Sequence, residues 1–89
     1  MDFHQKAYIC VHVFEKTRAV LLVTRPDGDW CFLCGEEHEN EASAYMIVGV
    51  GHLMEHDATL SEVLDLREDW DAERTRPGGP WTRRPIESK

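Results

Sequence analysis

The sequence predicts an α+β domain in which one short helix packs on one face of an antiparallel sheet of four to five strands. Several short segments are β-branched and apolar, or alternate between apolar and polar residues, as strands do. One later segment instead has apolar residues at helical spacing. A chain of 89 residues holds one domain. We therefore expect a single domain over 1–89, with an ordered core at about 7–82 and a frayed end at 83–89.

The first three predicted strands form an N-terminal meander. Residues 7–14 alternate between two faces, and residues 19–24 are apolar or β-branched throughout, which is typical of a central strand. The polar segment between them is short enough for a hairpin loop. Pro26 fixes φ and Gly28 permits a positive φ, so a second tight turn leads into a third strand at residues 30–34. The second strand is thus predicted to lie in the middle of the meander.

The second half of the chain predicts a fourth strand, the helix and an edge strand. Residues 45–50 are apolar and β-branched, and Gly49 marks a bulge or the end of the strand. Thr59 and Glu62 have the spacing of a capping box, which predicts that a short amphipathic helix begins there and ends near residue 66. Residues 70–75 alternate weakly and predict an edge strand that charge protects from further pairing.

Charge is segregated along the chain. Residues 35–73 contain twelve acids and one base, whereas residues 74–89 contain one acid and five bases, within a net charge of −7. This net charge repels phosphate backbones and disfavours nucleic-acid binding. No uncharged apolar stretch approaches the roughly 20 residues that cross a bilayer, and the N-terminus lacks the pattern of a secretory signal. We expect no membrane association and a cytoplasmic location.

Two motifs resemble those of a family of small bacterial domains. The first has the form Asp/Ser-Gly-Trp-x-Phe-x-small-Gly-Asp/Glu-Glu, and the second ends in Leu-Asp. The matching residues are Trp30, Phe32, Gly35 and Glu37 in the first motif and Leu53, Asp57, Leu60, Leu64 and Asp65 in the second. Over about residues 8–75 the chain thus resembles the immunity-protein-33-like family. Cys34 and Ala58 depart from the pattern, which more often has Ser and Pro there. The resemblance implies an α+β fold and, for members encoded beside toxin loci, neutralisation of a toxin by binding, and it implies no catalytic residue.

The predicted function is stoichiometric binding of a basic protein partner, without catalysis. Concentrated negative charge accelerates encounter with a cationic protein. The competing interpretation is that a run of like charges is simply a solvated loop. The predicted contact residues are Glu36, Glu37, Glu39, Glu41, Asp57, Asp65 and Asp69.

The alternative prediction is a small structural-zinc domain. Cys31 and Cys34 have Cys-x-x-Cys spacing, and His52 and His56 are four residues apart, so together they offer four ligands for one tetrahedral ion. Against this, residues three apart on a straight strand point to opposite faces. Two buried thiols and two surface histidines are the ordinary interpretation, so the expectation is no metal and no cofactor, with zinc at these four residues as the alternative.

Overall fold

The computed structural model describes residues 5–15, 18–35 and 45–86. Two short α-helices, α1 (Val11–Phe14) and α2 (Val50–His56), directly follow the first and fourth strands, and 3-10 helices cover Pro26–Gly28 and Ala58–Val63. The described residues contain six strands: β1 (Lys6–Cys10), β2 (Leu22–Thr24), β3 (Cys31–Leu33), β4 (Tyr45–Gly49), β5 (Trp70–Glu73) and β6 (Thr82–Pro85). The predicted α+β class is therefore confirmed.

All six strands belong to one mixed sheet with the order β4-β1-β3-β2-β5-β6. Strands β1 and β3 are parallel, with Tyr8 opposite Cys31 and Ile9 opposite Phe32. Every other neighbouring pair is antiparallel. The prediction of a purely antiparallel sheet of four to five strands is therefore wrong, and so is the N-terminal meander, because β3 and not β2 is the neighbour of β1.

The meander is wrong because the chain leaves the sheet after Cys10. Residues 11–14, which continue the strand-like alternation, form the single turn of α1 instead. A window of four residues fits both a period of 2 and a period of 3.6, so alternation alone does not separate the two structures. Strand β2 pairs instead with β3 across the tight turn at Pro26–Gly28, where Gly28 has a φ of 86°. This second turn agrees with the prediction.

The predicted capping box is replaced by a cap two residues earlier. The carboxylate of Asp57 accepts the backbone N–H of Thr59 at 3.0 Å, and the segment that follows is a 3-10 helix that ends at Val63. Asp is a favoured capping residue because its carboxylate satisfies an N–H that the helix leaves without a partner. Strand β4 ends at Gly49, so of the two predicted alternatives the glycine marks the end of the strand and not a bulge. Val50, the last residue of the predicted strand, is instead the first residue of α2.

The C-terminal part of the chain extends the sheet beyond the predicted edge. Strand β5 lies between β2 and β6, so it is an interior strand and β6 is the edge. The prediction that the chain frays from residue 83 is wrong for residues 83–85, which pair with β5 through Arg83 opposite Ala72 and Arg84 opposite Asp71. Residues 87–89 lie outside the described residues.

The apolar core is one cluster of buried residues from the sheet, the two α-helices and the 3-10 helix. Trp30 stacks on Phe32 with ring centroids 5.9 Å apart. The largest fully buried side chains are Phe32, Leu60, Val23, Val50, Val63, Cys10 and Cys34. Because Leu60 and Val63 belong to the 3-10 helix, burial of these residues fixes that segment against the strands.

Arg74 is the one buried charged residue among those that the structure describes, with 3% of its surface exposed. Its Nε donates to the Val20 carbonyl at 3.0 Å, its Nη1 to the Thr59 hydroxyl at 2.8 Å and its Nη2 to the Asp57 carboxylate at 2.7 Å. Its guanidinium also lies 4.3 Å from the centroid of the Trp81 ring. Arg74 therefore joins the end of β5 to three other parts of the chain.

Replacing Arg74 by Met tests this network. We expect Arg74→Met to lower the free energy of unfolding by about 3 kcal/mol, because it leaves the partly buried Asp57 carboxylate without its cation. The matched control is Arg84→Met, which removes a 3.3 Å pair with Glu73 in which both side chains are about half exposed and should cost less than about 1 kcal/mol. Urea unfolding at pH 7 measures both; equal costs would contradict the assigned role of Arg74.

Candidate functional site

The predicted contact residues divide into two groups. Asp57, Asp65 and Asp69 are described by the structure, and each makes a contact within the chain through its carboxylate. The second group lies outside the described residues: Glu36, Glu37, Glu39 and Glu41. The contacts of the three described carboxylates show which of them are paired with a base of the same chain.

Asp57 is engaged internally. Besides the bond from Arg74, its carboxylate accepts hydrogen bonds from the hydroxyl and the backbone N–H of Thr59. Partial burial, the largest single contribution, raises the pKa of Asp57, but the hydrogen bonds from Thr59 and Arg74 and the charge of Arg74 together outweigh it and lower that pKa below its usual range. Asp57 is therefore a structural anion that binds Thr59 and Arg74 within the fold.

Asp65 is paired with a base from the C-terminal strand. Nη1 of Arg83 donates to its carboxylate at 2.7 Å, and this hydrogen bond is the main cause of the lowered pKa of Asp65. Arg84 similarly pairs with Glu73 at 3.3 Å. Three of the five bases in residues 74–89, namely Arg74, Arg83 and Arg84, thus pair with acids of residues 35–73. The charge segregation along the chain is partly cancelled in the fold.

Asp69 has a different position, because its contacts are with the backbone. Its carboxylate accepts the N–H of Asp27 at 3.0 Å, and its own N–H donates to the Arg25 carbonyl at 2.7 Å. Asp27 and Asp69 both have a positive φ, of 54° and 63°, a conformation that Asp tolerates better than most residues. These bonds join the turn between β2 and β3 to the turn before β5.

The two joined turns carry four exposed carboxylates. We name them the acidic turn surface, which consists of Asp27, Asp29, Glu68 and Asp69. The nearby Arg25 makes no ion pair with a described carboxylate: its Nη1 donates to the Leu66 carbonyl at 2.8 Å and its Nη2 to the Gly28 carbonyl at 2.9 Å. Its guanidinium lies 4.1 Å from the centroid of the Trp30 ring. The acidic turn surface therefore keeps a negative charge that no ion pair of the described residues cancels.

The four residues of the zinc alternative do not come together. His52 and His56 are exposed on α2, and His52 lies 3.5 Å from Glu55. Burial, with a smaller effect from the charge of Asp29, raises the pKa of Cys31 to about 11. The thiol of Cys31 is therefore protonated at neutral pH, and a protonated thiol is a poor nucleophile. The four-ligand prediction is wrong, because these side chains belong to different parts of the fold.

Cys34 lies instead beside Cys10 and His12. One ligand atom from each of the three side chains lies within 4.8 Å of the other two, and Sγ of Cys34 is 3.6 Å from Nδ1 of His12. Among the residues that the structure describes, this is the one group of three or more His, Cys, Asp or Glu side chains close enough together to hold a metal ion. Sequence reasoning missed it, although residues 10 and 12 share a face in the predicted first strand, because the third member depends on which strand neighbours β1.

A groove of about 850 Å³ opens on another part of the molecule. Its lining is mostly apolar and includes Val13 of α1, Leu53 of α2 and Leu60 of the 3-10 helix. Phe14 also lines it and is 49% exposed. No local sequence pattern identifies this groove, because its walls are far apart along the chain.

No family model, curated protein or solved structure matches this chain. The resemblance to the immunity-protein-33-like family stays a prediction. No helix in the described ranges is both long enough and apolar enough to cross a membrane.

The pH dependence of stability tests the internal role of Asp57. Its pKa is lowered in the folded state, so the carboxylate stabilises the fold above its unfolded pKa of about 3.9, and this contribution is lost as the pH falls below that value through the folded pKa. We expect Asp57→Asn to be less stable than the parent protein at pH 7, and the difference to shrink below about pH 4.

Urea unfolding at several pH values measures this difference. The control is Glu62→Gln, because the exposed Glu62 side chain makes no ion pair in the described part of the chain. Its stability should follow that of the parent protein at every pH. A difference between Asp57→Asn and the parent protein that stays constant down to about pH 2 would contradict the role given to Asp57.

Proposed function

We propose that this chain is a non-enzymatic protein-binding domain whose acidic turn surface contacts a basic segment of a protein partner. The observation that carries the proposal is the hydrogen bond between the Asp69 carboxylate and the Asp27 N–H, which holds two turns together. Four exposed carboxylates are thereby gathered on one surface. Such a surface attracts a cationic partner and fixes its orientation more than it adds raw affinity.

The internal ion pairs favour this surface over the rest of the acidic segment. Asp57, Asp65 and Glu73 are each balanced by an arginine, so they contribute less to an outward negative field. Arg25, the cation closest in sequence to the first turn, directs Nη1 and Nη2 to backbone carbonyls. Of the predicted contact residues that the structure describes, Asp69 belongs to the acidic turn surface. The other three residues of this surface are Asp27, Asp29 and Glu68.

The net charge of −7 supports a basic partner over an acidic one. At physiological salt the screening length is about 8 Å, so carboxylates on two adjoining turns act together on an approaching cation. The resemblance to the immunity-protein-33-like family would make that partner a toxin, which the chain neutralises by occupying its surface. The proposal contains no bond-making step.

Two variants of equal net charge test the proposal. The surface variant carries Asp27→Asn, Glu68→Gln and Asp69→Asn; Asn suits the positive φ at the first and last positions. The control variant carries three changes away from this surface: Glu55→Gln, Glu62→Gln and Glu73→Gln. Each variant has a net charge of −4 in place of −7.

Basic proteins captured from the source cell by the immobilised parent chain are identified by mass spectrometry, and the binding of each is then measured with purified components. We expect the surface variant to bind the partner at least about tenfold more weakly, whereas the control variant retains most of the affinity, and binding to weaken as salt increases. Equal loss in both variants, or binding that is indifferent to salt, would contradict the proposal.

The groove favours a second candidate function, the binding of a small and mostly apolar molecule. Its volume of about 850 Å³ lies within the range of ligand pockets, and the exposed Phe14 is part of its wall. Arg18 and His52 also line it.

Filling the groove tests this candidate. Ala19 is exposed and lines the groove, so Ala19→Phe should block it without removing a core contact. We expect an anilinonaphthalene sulfonate dye to fluoresce with the parent protein and with the control Ala58→Phe, whose site is exposed and outside the groove, and to fluoresce much less with Ala19→Phe. Equal fluorescence in all three proteins would exclude the groove as a binding site.

A further inference from the structure

We infer that Cys10, His12 and Cys34 form a zinc site at the C-terminal ends of β1 and β3. The topology brings the three residues together. Cys10 is the last residue of β1, His12 lies in the single turn of α1 that follows, and Cys34 comes directly after β3. Because β1 and β3 are parallel neighbours, these ends meet at the same edge of the sheet.

The separations suit a tetrahedral ion. With a zinc–sulfur bond of about 2.3 Å and a zinc–nitrogen bond of about 2.05 Å, tetrahedral angles place sulfur and nitrogen ligands about 3.5 Å apart and two sulfurs about 3.8 Å apart. The distance from Cys34 Sγ to His12 Nδ1 is 3.6 Å, and the group lies within 4.8 Å overall. Shifts of about 1 Å or less therefore convert the cluster into three ligands of one ion.

The ligand set indicates which metal it would take. Two thiolates and one imidazole suit zinc, whereas hard cations such as magnesium and calcium prefer oxygen ligands. Cys10 and Cys34 are buried, with 0% and 2% of their surfaces exposed, and no disulfide joins them. His12 is half-buried, so the ion enters from its side. Water supplies the fourth ligand of the tetrahedral ion.

The competing explanation is a pair of buried thiols of which one hydrogen-bonds a histidine. The sequence provides matched controls that separate the two explanations. Cys31 lies three residues before Cys34 on the same segment, and His52 is a histidine of α2; neither belongs to the cluster. A bound zinc would link β1, α1 and β3, so its binding free energy would add to the stability of the fold.

The test is titration of the chain, purified under reducing conditions without metal, with zinc against a chromophoric chelator. We expect one ion per chain and a tetrahedral ligand-field spectrum when cobalt replaces zinc. His12→Asn and Cys34→Ser should each weaken zinc binding by about 100-fold or more, whereas His52→Asn and Cys31→Ser should leave it unchanged. Thermal unfolding should shift upward with zinc in the parent protein and in these two controls.

Three results would overturn the inference. The first is binding of much less than one ion per chain. The second is equal loss of affinity in His52→Asn or Cys31→Ser, which would place the ion elsewhere. The third is formation of a disulfide between Cys10 and Cys34 in air with no zinc affinity of the reduced chain, which would make the pair a redox couple. If Cys34→Ser does not fold, His12→Asn decides the outcome, because its side chain is only half-buried.

Discussion

The guanidinium of Arg74 is the constraint on which the arrangement of this small domain depends. A buried cation loses several kcal/mol of hydration, and only partners with good geometry recover it. Here the partners come from three separate segments: the Val20 carbonyl before β2, Thr59 and Asp57 at the 3-10 helix, and the Trp81 ring before β6. Because all of them must reach one side chain at the end of β5, the cation fixes how these segments lie relative to one another.

The same interaction changes what the charge pattern of the sequence means. The twelve acids and one base of residues 35–73 by themselves predict one continuous anionic surface. The basic C-terminal residues instead fold back onto the acidic middle segment. Arg74, Arg83 and Arg84 each pair with an acid of residues 35–73. The acidic turn surface keeps its negative charge, because its carboxylates make no ion pair with a described base. The segregation of charge along the sequence therefore produces ion pairs within the fold and leaves a smaller negatively charged surface than the sequence alone predicts.

Local chemistry was sufficient to predict some features. The turn at Pro26–Gly28 and the end of β4 at Gly49 follow from the backbone preferences of proline and glycine, which act within a few residues. The strand order was not predictable in this way, because pairing between distant strands depends on the whole core. In the predicted meander β1 and β3 are also parallel, but β2 separates them by about 9.5 Å. Cys10 and Cys34 could then share no ion, so the error in strand order concealed the cluster.

The most direct test of the Arg74 network is a double-mutant cycle between Arg74 and Asp57. Arg74→Met, Asp57→Asn and the double variant are unfolded in urea at pH 7, and the coupling free energy is obtained from the four stabilities. If the pair holds the fold together, the coupling should be about 2 kcal/mol or more, since either single change leaves the remaining group without its partner. A coupling below about 0.5 kcal/mol would mean that the two residues act independently and would contradict the account.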